Sequence, residues 1–398
     1  MLDKLHPTLP QPKNDQNVYT LGELHGHNVV IACLPSGVYG TWSASIVAVQ
    51  MLNTFPAIRF SLLVGIGGGV PSNGLDIRLG DVVVSKPTNI YGGVVQYDYG
   101  KTIGTGRFQR TGSSNKPPSI LLAGISRLEA DHFIGSSQIP AYLAQMTARY
   151  PATERVSRPG SEYDILFDAG YRHHNPQDRD CRQCDPDRRV QRSPRSSHSP
   201  LIHYGLIASG SQVMRDGLVR DQISRELGGS VMCFEMEAAG LMDNFPCLVI
   251  RGICDYADSH KNKSWQPYAA AVASAYAKEL LSVIPVIQLS ETPEALTYVR
   301  DQYAIDAPES EGEEEAAKSG CVQMKVRLID PVYRRMILGR AGIPHQHSQF
   351  LCPECLLICP EAHWIAPRWI CCECEDGPKV LSHKAECEQC HHQLCYKG

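Results

Sequence analysis

Up to about residue 290 the chain alternates short apolar runs with longer helical patterns, and nothing else in it constrains the fold as strongly. The runs are "NVVIACL" (Asn28–Leu34), "SLLVGIGG" (Ser61–Gly68), "DVVVSKP" (Asp81–Pro87), "IHYGLIAS" (Ile202–Ser209) and a buried strand over Cys247–Ile253. Helical patterns cover Thr41–Thr54, Pro118–His132 and the Ala-rich Trp265–Ile284. Strand and helix alternating in this way predict an α/β fold with helices on both faces of one sheet. The 43% hydrophobic content supplies a large core, and the net charge of -4 argues against a general nucleic-acid binder.

Two neighbouring segments set acids where the chain is burying itself. "CFEMEAAG" (Cys233–Gly240) places Glu235 and Glu237 either side of Met236 among apolar residues, and buried ionised carboxylates are costly unless paired. Capping of a helix begun by "AAGLMDNF" is one explanation, since acids in a first turn complement the helix dipole. The next strand, "PCLVIRGICDYADSHKN" (Pro246–Asn262), carries Arg251 and runs into Asp255 at its C-terminal end. In open α/β sheets that end is where ligands sit, so these charges predict a small-molecule cleft. A structural ion pair between Arg251 and one glutamate stays open beside it.

Residues 157–200 form a polar, Arg-rich insertion, most simply a long surface loop. Within it Cys181 and Cys184 make a C-x2-C beside His173 and His174, the pattern of a small metal knuckle. The domain over 1–290 gives way to an acidic linker, 291–325, and then to a Cys-rich module, 326–398. There Cys352 and Cys355, Cys371 and Cys374, and Cys387 and Cys390 form successive C-x2-C pairs, separated by fifteen and twelve residues, with His392 and Cys395 beyond. Two such turns close a tetrahedral zinc site, so structural zinc is the expected cofactor of this tail, which would serve contacts to another protein. The N-terminus has no apolar run like a signal peptide, and "FSLLVGIGGGV" is too short and Gly-rich to span a bilayer. A cytoplasmic, or nuclear, protein with sixteen cysteines kept reduced and no membrane partner is the expectation.

The motifs "LPSGVYGTWSAS", "LLVGIGGGVP", "LGDVVVSKP", "GLIASGSQVMRD", "FEMEAAGL" and "VIRGICDYADSHKN" stand in the order seen in the purine nucleoside phosphorylase and methylthioadenosine nucleosidase superfamily. Over about residues 18–288 the chain resembles that family, and in particular the version found in fungal NLR-like proteins. The resemblance implies a three-layer α/β/α sheet and cleavage of the N-glycosidic bond of purine nucleosides or nucleotides. It implies Asp255 as the acid that protonates N7, its pKa raised by burial, and Glu237 as the group that takes the ribose hydroxyls. Met236 would pack on the sugar with Glu235 and Phe234 nearby, Arg251 would orient the acids, and Ser209, Val213 and Met214 would line the base pocket. Gly37, Gly67 and Gly68 would bring backbone N–H groups to the ribose or an anion.

Family members open with a buried strand ending in an acid, the general base of the nucleosidase branch. "MLDKLHPTLPQPKND" resembles the tail of the helix that follows, which places the first strand and that base upstream of Met1; a domain that has lost them is the other reading. "GIGGGV" contains no serine of the kind that binds phosphate in phosphorylases, which favours hydrolysis and leaves phosphate open as a co-substrate. Lys86, Lys101, Arg107, Lys261 and Lys263 are candidates for the phosphates of a nucleotide. Catalysis needs no further cofactor, and homo-oligomers are expected by resemblance. The alternative to an enzyme is a catalytically inactive, nucleoside-binding sensor or adaptor.

Overall fold

The computed structural model describes residues 1–72, 74–104, 107–150, 156–175, 180–286 and 294–295, together with one short pairing of Arg368–Trp369 with Lys379–Val380. The chain divides into two compact units, Met1–Asp306 and Ala307–Gly398. The expected zinc ligands Cys352, Cys355, Cys371, Cys374, Cys387, Cys390, His392 and Cys395 lie outside the described residues.

In the first unit β1 (Lys4–Leu5), β2 (Tyr19–Leu24) and β3 (His27–Ala32) make a small antiparallel sheet. His25 and Gly26 link β2 to β3 with φ of 48° and 82°. Positive φ at both central residues is what the right-handed strand twist asks of a two-residue hairpin turn. The N-terminal segment is therefore not the tail of a helix: it carries β1, held by pairing with β2.

The main sheet is built from β4 (Ser61–Gly69), β5 (Val82–Ser85), β6 (Val94–Gln96), β9 (Ile202–Ser209), β10 (Val231–Glu235) and β11 (Cys247–Asp255). A separate hairpin, β7 (Gly100–Ile103) with β8 (Arg107–Arg110), lies in the chain between β6 and β9. β11 runs between β4, parallel, and β5, antiparallel, and every one of its residues is buried. β9 then pairs in parallel with β5 and β6. β10 bonds in parallel to β9 and antiparallel to β4, so this mixed sheet closes on itself.

The five α-helices among the described residues are α1 (Thr41–Thr54), α2 (Ser119–Phe133), α3 (Ile139–Arg149), α4 (Gly217–Glu226) and α5 (Gln266–Ser282). Ala269, Ala273 and Ala275 of α5 are fully buried, and a Cβ on Gly252 of β11 would stand 2.0 Å from the carbonyl oxygen of Ala269. Small residues on both partners thus let the helix lie directly on the central strand. α4 starts at Asp216, whose side chain accepts from the N–H groups of Leu218 and Val219, a cap that "MRDGLV" already displays. "AAGLMDNF" does not begin an α-helix; it makes a single 3-10 turn, Ala238–Gly240.

Residues 157–200 are more than a surface loop. Phe167, Cys184 and Leu166 are buried, and Phe167 bridges to Arg189. Arg195 forms a two-pronged ion pair with Asp81 at 2.7 Å per contact, and Arg192 donates to the Tyr256 hydroxyl at 2.8 Å, just past β11. The arginines that made the segment read as solvated hold it to the sheet instead. Among the described residues no helix is long and apolar enough to cross a membrane.

Candidate active site

β10 ends at Glu235, and the chain then turns sharply enough that this carboxylate accepts from the N–H groups of Glu237 (3.1 Å) and Ala238 (3.0 Å). Arg251, projecting from the middle of β11, places Nη2 against Glu235 and 3.2 Å from Oε2 of Glu237. Burial opposes the charge of Arg251, but Glu235 and then Glu237 outweigh it and raise its pKa. The buried acid is thus neutralised by one guanidinium and two backbone donors, which resolves its cost. Glu235 is saturated by protein: its side chain is 0% exposed, against 14% for Glu237. Among the described residues Glu237 reaches only Arg251 and, at 3.4 Å, the N–H of Gly40, so acceptor capacity remains on a carboxylate that keeps some exposure.

At the end of β11, Asp255 is 4% exposed and is surrounded by donors. Oδ1 accepts from Ala257 N–H at 2.9 Å; Oδ2 accepts from the Cys254 thiol at 3.2 Å and lies 2.8 Å from Lys261 Nζ. Ala257 adopts φ of 53°, a left-handed conformation that costs a non-glycine residue on the order of 1 kcal/mol and is held here by its bond to Asp255. Burial pushes the Cys254 thiol well up, so it stays protonated as a donor. Burial also works against the charge of Lys261, yet Asp255 and then Cys254 overcome it and raise its pKa. Burial alone therefore does not set the surroundings of Asp255; an ammonium group shares them.

Gly67 and Gly68 lie inside β4, and the space beside each is filled by protein. A Cβ on Gly67 would stand 2.4 Å from Cys233 Sγ, and one on Gly68 would stand 2.7 Å from Asp255 Oδ1. Their missing side chains admit the acidic cluster itself. Gly37 sits in an exposed turn with φ of 79° and open space around it. Ser209, at the end of β9, is fully buried, pairs across to Glu235, and accepts from Ala239 N–H at 2.9 Å. Phe234 is buried edge-on to Tyr97, with ring centroids 5.3 Å apart, and Met214 belongs to the same cluster. Val213 is exposed and Met236 half-buried in the turn between Glu235 and Glu237.

The basic residues weighed for phosphate do not gather. Lys86 pairs with Glu129 and Lys261 with Asp255, while Lys101 and Arg107 are exposed on the β7–β8 hairpin and Lys263 is exposed after β11. Lys261, one of the phosphate candidates of the sequence, pairs with Asp255 instead, and its place six residues after Asp255, on a turn, is the signal for that. Two further site residues are glycines that the sequence does not single out. Gly65 faces Arg251, with its would-be Cβ 2.1 Å from Nη1, and Gly40 offers its N–H to Glu237. Their glycines were legible, but which charge each one faces depends on strand register.

A profile of the Phosphorylase superfamily matches residues 4–284. An NLR-like protein of Hyaloscypha variabilis is 49% identical over 285 residues, which are 71% of this chain and 28% of that protein. The 5'-methylthioadenosine/S-adenosylhomocysteine nucleosidase of Mycobacterium tuberculosis is 32% identical over 93 residues, 22% of this chain and 36% of the enzyme. The chain therefore spans 28% and 36% of these two relatives' lengths. Among solved structures, the nucleosidase of the same specificity from S. pneumoniae has a TM-score of 0.43 at 17% identity, covering 71% of this chain and 92% of the other. Futalosine hydrolase of Helicobacter pylori gives 0.42 at 16% identity, covering 70% and 88%. With its profile spanning the whole main sheet and all five helices, this chain belongs to the Phosphorylase superfamily.

Proposed function

We propose that the first unit cleaves the N-glycosidic bond of purine nucleosides by hydrolysis. The supporting observation is the division of labour among three carboxylates. Arg251 and two backbone N–H groups saturate Glu235, Glu237 keeps acceptor capacity and some exposure, and Asp255 waits at the end of the same strand that carries Arg251. Glu237 accepts the ribose hydroxyls, fixing the sugar while charge builds on its anomeric carbon. Asp255 delivers a proton to N7 as the C–N bond breaks, so the base departs neutral, and the Lys261 ammonium, in contact with Oδ2, balances the carboxylate left behind. Water adds to the anomeric carbon and its proton passes to solvent, from which Asp255 is protonated again. Pyrimidines lack N7 and are poor substrates for this arrangement. The scattered basic residues favour nucleosides over nucleotides and give phosphate no ready cradle. A structural zinc in the Cys-rich tail, serving contacts to another protein, completes the proposal.

A second reading draws support from the NLR-like relative, of which this chain spans 28%. In it the unit binds a nucleoside as a signal without cleaving it. One experiment separates the two: purified chain is incubated with adenosine, methylthioadenosine, inosine, ATP and uridine, with and without phosphate, and released base is measured by chromatography. Purine release that Asp255→Asn abolishes supports hydrolysis. Calorimetric binding without release from any substrate sinks it and leaves the sensor.

A further inference from the structure

The insertion contains a second cluster of reactive side chains that the proposed chemistry does not use. His173, Cys181 and Cys184 each offer a ligand atom, and these atoms all lie within 4.8 Å of one another. The two cysteines sit in a C-x2-C turn closed by the Cys184 N–H donating to the Cys181 carbonyl at 3.1 Å. A tetrahedral zinc ion spaces its sulfur and nitrogen ligands by roughly 3.5 Å, so only a small contraction separates this group from a coordination shell.

A second observation points to the same ligand. His260, in the turn after β11, is 7% exposed, yet neither of its ring nitrogens has a hydrogen-bond partner among the described residues. Buried polar groups are nearly always satisfied, so an orphaned imidazole asks for an explanation. Its ring stacks on Phe167 at 4.1 Å and on Tyr171 at 5.4 Å, both from the insertion, and its centroid lies 5.3 Å from that of His173. Asp258 Oδ1 stands 3.8 Å from Nδ1, beyond hydrogen-bond reach. The backbone N–H of His173 donates to Ser259 Oγ at 3.0 Å, pinning the insertion to the segment that presents His260.

The ring of His173 is held at both nitrogens: Nε2 lies 2.9 Å from the Asp180 carbonyl oxygen, while Nδ1 lies 2.7 Å from the Asn175 carbonyl oxygen and accepts from the Asn175 N–H at 3.3 Å. With Nε2–H donating to Asp180, the Nδ1 lone pair is the one a cation would take in place of the long Asn175 bond, and a metal-bound histidine usually donates from its other nitrogen to a carbonyl.

We propose that Cys181, Cys184, His173 and His260 bind one structural zinc ion that staples the insertion to the turn following β11. Two sulfurs and two nitrogens are a donor set that suits tetrahedral zinc, with His260, outside the three that already lie within 4.8 Å of one another, closing in as the fourth ligand. The staple anchors His260, immediately before Lys261, and so steadies the turn that carries the partner of Asp255.

The test compares zinc content, by mass spectrometry of the metal, in the full chain and in the full chain with Cys181→Ser and Cys184→Ser. Because both retain the Cys-rich tail, only the difference matters, and the proposal expects the variant to hold about one equivalent less. Equal zinc content overturns it, as does recovery of Cys181 and Cys184 as a disulfide in wild-type chain with its full zinc content. A His260→Phe variant preserves the ring stack. With cobalt in place of zinc, the spectrum of wild type minus that of the double cysteine variant isolates this site, and His260→Phe should shift its visible bands. An unchanged difference spectrum overturns the assignment of His260. Neither readout depends on catalysis, so failure here is distinguishable from failure of the hydrolase reading.

Discussion

One nitrogen, Nη2 of Arg251, touches both Glu235 and Glu237, and the two acids are left in different states by it. Glu235 is an internal strut with no exposed side-chain surface, while the side chain of Glu237 is 14% exposed. Their conservative variants should therefore diverge. Glu235→Gln lowers the melting temperature and Glu237→Gln barely moves it. Glu237→Gln instead cuts kcat/KM by about 10- to 100-fold, the loss of a hydrogen bond to a charged group. Equal effects of the two on melting and turnover would show that the acids are not divided in this way.

Gly65 makes that bridge sterically possible. An alanine there would put its Cβ 2.1 Å from Nη1 of Arg251, and the guanidinium, held through Nη2 by two carboxylates, could give way only by loosening that bridge. Gly65→Ala should destabilise the protein by about 3–5 kcal/mol, comparable to breaking a buried ion pair outright, measured by urea unfolding. A cost near that of an ordinary surface change would mean that the cluster is plastic.

Asp255 and Lys261 form the other pair whose members should separate in assay. Asp255→Asn removes the proton donor and should lower base release by about 10²- to 10⁴-fold. Lys261→Met leaves the carboxyl in place but without its charged neighbour, so its effect should appear as a shifted pH–rate profile. Identical pH profiles for wild type and Lys261→Met would remove Lys261 from the mechanism.

Acid should release the insertion. Burial alone would raise the Asp81 carboxyl, but hydrogen bonds from His203 and Arg195 outweigh it and hold its pKa below the ordinary 3.8. A carboxyl depressed in the folded state contributes stability above its unfolded pKa and loses it as pH falls through the folded value. The melting-temperature gap between wild type and Asp81→Asn should hold from about pH 7 to 5 and close below about pH 4. A gap independent of pH would contradict the ion pair.

The outer face of α1 predicts self-association. Trp42, Ile46 and Val49 are 80%, 45% and 48% exposed at helical spacing, next to exposed Val38 and Tyr39. Such a continuous apolar face is uncommon on a monomer, and a second copy of this chain is its proposed cover. Wild type should elute as a dimer or larger in light-scattering chromatography and Trp42→Glu as a monomer. A monomeric wild type would reject this.

Periodicity made much of the fold readable. The patterns over Thr41–Thr54 and Ile202–Ser209 coincide with α1 and β9, because long apolar faces leave little choice of state. Helices α3 and α4 escaped notice: α4 displays a capping aspartate but has few buried residues, and α3 buries only Ile139. The acids of the site were visible as charges among apolar neighbours. Invisible were the pairings that decide their roles, such as Lys261 on Asp255 or Gly65 opposite Arg251, since both arise from contacts across strands or around a turn. The insertion misled for a related reason. A run of arginines reads as solvated until the aspartates that receive them, Asp81 and Asp164, are placed beside them.

The closure of the sheet has a consequence for how the chain is made. β4 leaves the ribosome early, yet both strands that hydrogen-bond to it, β10 and β11, are synthesised far later. At ordinary translation speed the glycine-rich strand waits on the order of tens of seconds with neither edge paired. The nascent chain must shelter it through that interval, and any pause before β10 prolongs the exposure of an adhesive edge.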